Sequence, residues 1–285
     1  MIFDNHTHLI SDDHERYPPA PLSGQLRPGD LDDPMTVERL LREMDAVGVE
    51  RAVVVQRAHV YGYDNSYVVD AAERYPDRLT AVCSVNALAT DIEQSVRHWV
   101  SERGATGLRM TEPYKGADSS WFASDEARPL WELADALGVS VCLHFYRWNR
   151  LDCLAALPGV LNKFPNVNVV VDHVSNIIVE EGAPDYGVDQ ALEDLREYRN
   201  LVLKLTTINL NKISEHDIDP SSVVKRVVEN FGVERLMWGS DVAQTKGAYS
   251  DMVAAARDAM AGLDERERYQ VLYGVSDRVY GGNNE

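Results

Sequence analysis

The sequence predicts a (β/α)8 TIM barrel, one α/β domain spanning residues 1–285, with extra helices at its C-terminal end. Eight short, β-branched apolar runs alternate with amphipathic segments, as in a parallel sheet covered by helices. The length of 285 residues suits a single barrel, which commonly takes about 250. A doubly wound open sheet would explain the alternation too, but it usually carries a Gly-rich phosphate turn after an early strand, and the sequence has none there.

The eight runs fall at 1–8, 51–56, 79–86, 105–110, 139–145, 167–173, 201–206 and 235–241. Between the first two, Val37, Leu40, Leu41, Met44 and Val47 share one helical face, with Thr36 placed to cap the start and Gly48 to end the helix. Gly48-Val49-Glu50-Arg51 returns as Gly232-Val233-Glu234-Arg235, and Gly138-Val139 repeats its beginning, so each marks a helix handing over to a strand. The segments after the fourth and sixth runs, at 114–124 and 177–186, are irregular, and loops that follow strands are where barrels keep function. Beyond the eighth run, 250–261 and 265–273 read as closing helices and 281–285 as a frayed tail.

With 45% hydrophobic and 26% charged residues the chain has ordinary globular composition. A formal net charge of −18 argues against a nucleic-acid partner, which needs a clustered basic surface. The same charge repels anionic substrates at long range, so a carboxylate-bearing substrate requires local arginines. Cys83 and Cys142 sit in apolar runs and, with Cys153, read as core thiols. The chain opens on an apolar strand without a basic leader, and no apolar stretch approaches ~20 residues; a cytoplasmic protein with no membrane partner is expected.

His6 and His8 are two residues apart, which on a strand puts both side chains on one side, into the barrel at its carboxyl end. His144 ends the fifth run, His173 the sixth and Asp241 the eighth. Any one of these suits a satisfied strand-end polar residue, but five at the ends of four strands point to a site. His14, His98 and His216 fall in polar loops or a helix and read as surface residues, whereas His59, just past the second run, lies near enough to approach the site.

Asp4-Asn5-His6-Thr7-His8, His144, His173 and Gly239-Ser240-Asp241 together resemble the amidohydrolase superfamily over nearly the whole chain. Gln56 followed by Tyr61-Gly62-Tyr63-Asp64-Asn65-Ser66-Tyr67 is similar to its amidohydrolase-related branch, which includes 2-pyrone-4,6-dicarboxylate lactonase and sugar lactonases. The resemblance implies a divalent ion held by His6, His8, Asp241 and often His144. Zinc suits that donor set best and manganese is an alternative. Asp241 would take a proton from water and pass it to the leaving oxygen, and His173 would orient water or polarise the carbonyl. The run Gly107-Leu108-Arg109-Met110 lacks the lysine that bridges two metals, so one metal or none is expected. The pyrone lactonase of the branch needs no metal; without one, Asp241 would act directly as base and the histidines would hold the carbonyl.

Arg109 ends the fourth run, Arg57 follows the second, and Arg147 and Arg150 follow His144, so guanidinium groups stand ready to hold a substrate carboxylate; a surface salt bridge is the competing role for each. Tyr61, Tyr63, Tyr146, Trp121 and Trp148 lie in the same loops, as walls of a pocket or as packing. The expected activity is hydrolysis of a small carboxylate-bearing lactone: a pyrone, a muconolactone or a sugar-acid lactone. Two alternatives stand beside it: nonoxidative decarboxylation of an aromatic or unsaturated acid, whose enzymes resemble a Glu-x-His start that this chain lacks, and a noncatalytic ligand-binding barrel. Barrels of this type often pair, and a homodimer is the expected assembly.

Overall fold

The computed structural model describes residues 1–112 and 116–281; Tyr114 of the predicted loop and residues 282–285 of the predicted tail lie outside them. Eight parallel strands are hydrogen-bonded in sequence order, and each lies within one of the predicted runs. They are β1 (Phe3–Thr7), β2 (Arg51–Val55), β3 (Leu79–Ser84), β4 (Gly107–Met110), β5 (Ser140–Leu143), β6 (Val169–Val171), β7 (Leu201–Thr206) and β8 (Leu236–Gly239). The first predicted helix runs Val37–Val47, where the Thr36 side chain accepts the Arg39 N–H and Gly48 takes a left-handed φ of 73°. Helices follow most other strands, among them Ser66–Arg74, Arg128–Leu137, Arg150–Lys163 and Pro220–Phe231. After β6 the chain instead wanders through short turns to the four-residue helix Gln190–Glu193, in keeping with the irregular segment expected there. Among the described residues no helix is long and apolar enough to cross a membrane.

The barrel interior is filled by Phe3, Val53, Val55, Val82, Cys142, Val170, Val202 and Met237, which pack on Val275, Val279 and Tyr280. Those last three belong to the terminal helix Val275–Tyr280, which plugs the amino end of the barrel. The Asn5 amide donates to the Ser276 hydroxyl at 3.2 Å, and the Ser140 hydroxyl donates to the Val279 carbonyl at 3.0 Å. A sealed lower end leaves the carboxyl end as the open one.

Closure is made where the site residues stand. The Asp241 N–H donates to the His6 carbonyl at 2.7 Å and the His8 N–H to the Val242 carbonyl at 3.2 Å, with a parallel bridge between Thr7 and Val242. Strict alternation cannot send both Phe3 and His6 inward, because they are an odd number of residues apart. The register of β1 against β2 shifts between Asp4 and Thr7, and this bulge re-aims the strand so that Phe3 fills the core below while His6 and His8 face the interior above. Asp4, turned the other way, clamps the seam: its carboxylate accepts the Ser240 N–H at 2.8 Å, the His6 N–H at 3.1 Å and the Tyr249 hydroxyl at 2.8 Å. Burial pushes the Asp4 carboxyl up to about 6 against those donors.

β8 passes β1 so closely that a Cβ on Gly239 would stand 2.5 Å from the His6 Cβ and 2.7 Å from its backbone nitrogen. Gly239→Ala should therefore push the two strands apart and cost about 1–3 kcal/mol in urea unfolding, together with a fall in turnover. Wild-type stability in this variant would show that the seam tolerates a methyl group.

Candidate active site

At the seam, Asp241 is held by its backbone and by one oxygen. Its φ of 58° lies in the left-handed region, and the Thr245 hydroxyl donates to Oδ2 at 2.7 Å. The other oxygen, Oδ1, faces two imidazoles: His8 Nε2 at 3.3 Å and His6 Nε2 at 3.4 Å. His8 Nδ1 lies 2.8 Å from the Val55 carbonyl, which can only accept, so the proton is on Nδ1 and Nε2 presents a lone pair. Both His6 Nε2 and Asp241 Oδ1 are buried without a hydrogen-bond partner. Converging acceptors in a buried place suit a cation between them. Two nitrogens and one carboxylate oxygen fit one divalent ion with a coordination position left for water or substrate.

A second charge cluster lies beneath. Asp172, at the end of β6, receives Arg109 Nε at 2.8 Å on Oδ2 and Lys204 Nζ at 3.2 Å on Oδ1, and the Cys142 thiol donates to Oδ1 at 2.9 Å. His6 Nδ1 stands 3.4 Å from Asp172 Oδ1 and 3.2 Å from Lys204 Nζ. All of these atoms lie inside the barrel. Burial would raise the Asp172 carboxyl, but Lys204 and Arg109 outweigh it and hold it well below the usual range. Burial would lower Lys204; the Asp172 charge reverses that and holds its ammonium above the ordinary value. Burial likewise raises Asp241, yet the His8, His173 and His6 rings around it leave it well below the usual range. His6 is pushed far down by burial and then by Lys204, and His144 by burial and then by Arg109. At neutral pH the site thus sets the neutral rings of His6, His144 and His173 among two carboxylates, one ammonium and one guanidinium.

His173 opens an unusual stretch of backbone: His173, Val174, Ser175 and Asn176 all have φ between 45° and 54°. Consecutive left-handed residues are costly for L-amino acids and persist only where the surroundings over-determine them. Here Asn209 Nδ2 donates to the His173 carbonyl at 2.9 Å, and His173 Nδ1 meets the Thr206 hydroxyl at 2.7 Å. The ring is fixed 5.4 Å from that of His6, and His6, Asp172 and His173 form a second set of potential ligands.

The five strand-end residues read from the sequence are brought together. His144 falls in neither ligand set; its Nδ1 lies 3.2 Å from Arg109 Nη2, a group that can only donate, so the proton of the neutral ring is on Nε2. That makes His144 an N–H donor beside His173, their ring centroids 5.2 Å apart. The expected substrate-binding arginines are already neutralised: Arg57 by Asp30 at 3.0 Å, Arg109 by Asp172, and Arg147 by Glu180 at 2.7 Å. Arg150 is buried, held by Asp189 and Ser175. Tyr61 is buried too, its hydroxyl accepting the Ser11 N–H at 2.8 Å, and Trp121 packs on Phe122. Tyr146 lies edge-on to His144 and is stacked on the exposed Trp148, with ring centroids 4.2 Å apart. His14 and His216 are exposed, as expected, and His98 is half-buried on its helix, beside Glu102.

Asp172 and Lys204 are the functional residues that sequence reasoning left without a role. The signal for Lys204 was parity: it alternates with Val202 and Thr206 along an otherwise apolar strand and so faces the interior.

The family model described as Amidohydrolase matches residues 3–282. The chain belongs to the amidohydrolase family. It is 25% identical to an L-fucono-1,5-lactonase of Burkholderia ambifaria over 265 residues, which cover 88% of this chain and 82% of that protein. It is 26% identical to a 4-sulfomuconolactone hydrolase of Rhizobium radiobacter over 210 residues, 72% of this chain and 65% of that one. Among solved structures, a provisional 2-pyrone-4,6-dicarboxylic acid hydrolase from Pseudomonas putida superposes with a TM-score of 0.77 at 21% identity, covering 100% of this chain and 98% of that chain. An amidohydrolase from Burkholderia multivorans with bound zinc gives 0.73 at 18%, with 99% of each chain covered. A 2,6-dihydroxybenzoate decarboxylase from Rhizobium gives 0.67 at 13%, again with 99% of each covered. At these identities the superpositions establish the shared barrel.

Lys204→Met removes one of the two cations that hold Asp172 ionised. Breaking a buried pair in this way should cost about 3–5 kcal/mol in urea unfolding; a loss below about 1 kcal/mol would show that Arg109 alone suffices.

Proposed function

We propose that this amidohydrolase-family chain hydrolyses a small lactone at Asp241, with one divalent ion, zinc or manganese, held by His6, His8 and Asp241. The observation that carries the reading is the buried convergence of His6 Nε2, His8 Nε2 and Asp241 Oδ1 at the open end of the barrel. The lactone-hydrolysing relatives support the choice of a cyclic ester. When bound there, the ion acidifies water and draws electrons from the carbonyl group.

The chain's own residues divide the remaining work. Asp241 is ionised across the physiological range and accepts one proton from the attacking water. The water oxygen bonds to the acyl carbon, the ring C–O bond breaks, and Asp241 returns its proton to the departing ring oxygen, giving the open hydroxy acid. His144, protonated on Nε2 and backed by Arg109, offers an N–H to the carbonyl oxygen as negative charge develops, and His173, fixed by Thr206, orients the water from the other side.

The test is a panel of lactones (a sugar-acid 1,5-lactone, a muconolactone and a pyrone dicarboxylate) together with a phenolic acid, followed for ring opening and for CO2 release. Ring opening by the wild type, reduced at least about a hundredfold in kcat by Asp241→Asn with folding retained, is expected. Turnover of the variant within twofold of wild type would remove Asp241 from its role. CO2 release without ring opening would replace hydrolysis by decarboxylation.

A further inference from the structure

Four imidazoles meet at the carboxyl end of the barrel, and for three of them a single partner settles where the ring proton lies. The Val55 carbonyl can only accept, so it takes the proton on His8 Nδ1; Arg109 can only donate, so it leaves that of His144 on Nε2. The Thr206 hydroxyl gives its own proton to Asn209 Oδ1 at 3.2 Å and therefore accepts from His173 Nδ1. His6 differs. Its Nδ1 lies between Lys204 Nζ at 3.2 Å, which only donates, and Asp172 Oδ1 at 3.4 Å, which only accepts. All three residues are fully buried, so neither contact is diluted by solvent.

The two neighbours demand different tautomers. A bond from Lys204 makes Nδ1 an acceptor and puts the proton on Nε2, where it faces Asp241 Oδ1 across 3.4 Å. A bond to Asp172 puts the proton on Nδ1 and leaves Nε2 a lone pair, the form that a cation held by His6, His8 and Asp241 requires. Without a cation the first form is the better one, because both ring nitrogens then meet a group of opposite sign. In the second form, without a cation, a lone pair would face the Asp241 oxygen and an N–H would face an ammonium. Buried contacts of like sign are costly.

We infer that Lys204 and Asp172 are positioning residues that set the tautomer of His6: Lys204 keeps the proton on Nε2 until a cation binds, and Asp172 accepts the Nδ1 proton once it has. The ring stays neutral throughout, giving up the proton on Nε2 and gaining one on Nδ1, and Lys204 keeps its three. Its ammonium then turns to Asp172 Oδ1 at 3.2 Å and to the Cys142 sulfur at 3.8 Å, both within reach already. Asp241 is thus faced by an N–H in one form and by the ion in the other. The inference deepens the cation site proposed above and rests on it.

The test follows the ring nitrogens of protein carrying isotope-labelled histidine, by long-range proton–nitrogen correlation spectra, with zinc alone as the added ion and calorimetry to count what binds. His6 signals are assigned by their loss in His6→Gln, and His8, protonated on Nδ1 with or without zinc, is the internal reference. In zinc-free wild type His6 should be protonated on Nε2, and with zinc bound on Nδ1. Folded Lys204→Met should carry the proton on Nδ1 even without zinc. Zinc-free wild type already protonated on Nδ1, or folded Lys204→Met still protonated on Nε2, would overturn the role of Lys204 while leaving the cation site intact. Zinc bound with His6 still protonated on Nε2 would overturn the exchange and strike His6 from the ligands. Wild type that binds no zinc would contradict the cation site itself, and the exchange with it.

Discussion

The structure turns on the approach of β8 to β1. A barrel built from eight strands must close, and here the two strands that close it are the ones carrying His6, His8 and Asp241. The bonds that join them, such as Asp241 N–H to the His6 carbonyl, are main-chain bonds, so the side chains cannot drift apart without opening the barrel. Gly239 allows the contact, Asp4 clamps it, and the bulge in β1 turns the histidines inward. The product of this closure is a set of buried acceptors that nothing in the described residues satisfies. Fold and site share one constraint.

The charges beneath the seam keep it usable. Two carboxylates, Asp172 and Asp241, are set against Lys204 and Arg109, so the apolar barrel carries no large excess charge of its own. Each partner is deeply buried, and a buried charge without its counterpart is expensive. Asp172 and Lys204 also press on His6 Nδ1, so His6 reaches Asp241 through its other nitrogen. Arg109 does the same for His144, occupying Nδ1 and leaving the proton of the neutral ring on Nε2.

Periodicity in the sequence was enough to find the eight strands, the helix capped by Thr36 and Gly48, and the five polar residues at the strand ends, because period and position decide which way a side chain faces. Partners are another matter. Arg57, Arg109 and Arg147 stand where a substrate carboxylate could be met, yet each is claimed by an acid distant in sequence, Asp30, Asp172 and Glu180. Such pairing is a property of the folded chain and leaves no local mark. The β1 bulge escaped for a similar reason, since only the mismatch between Phe3 and His6 in three dimensions reveals it. Lys204 was legible by parity, and Asp172 by its place beside His173 at a strand end.

The central claim is that the seam creates a cation site from His6, His8 and Asp241. Calorimetric titration of the metal-stripped protein with zinc and with manganese tests it most directly. The account predicts one equivalent bound per chain, with binding lost in a His8→Ala variant that remains folded. Absence of binding by either ion, or binding that survives that substitution, would contradict it.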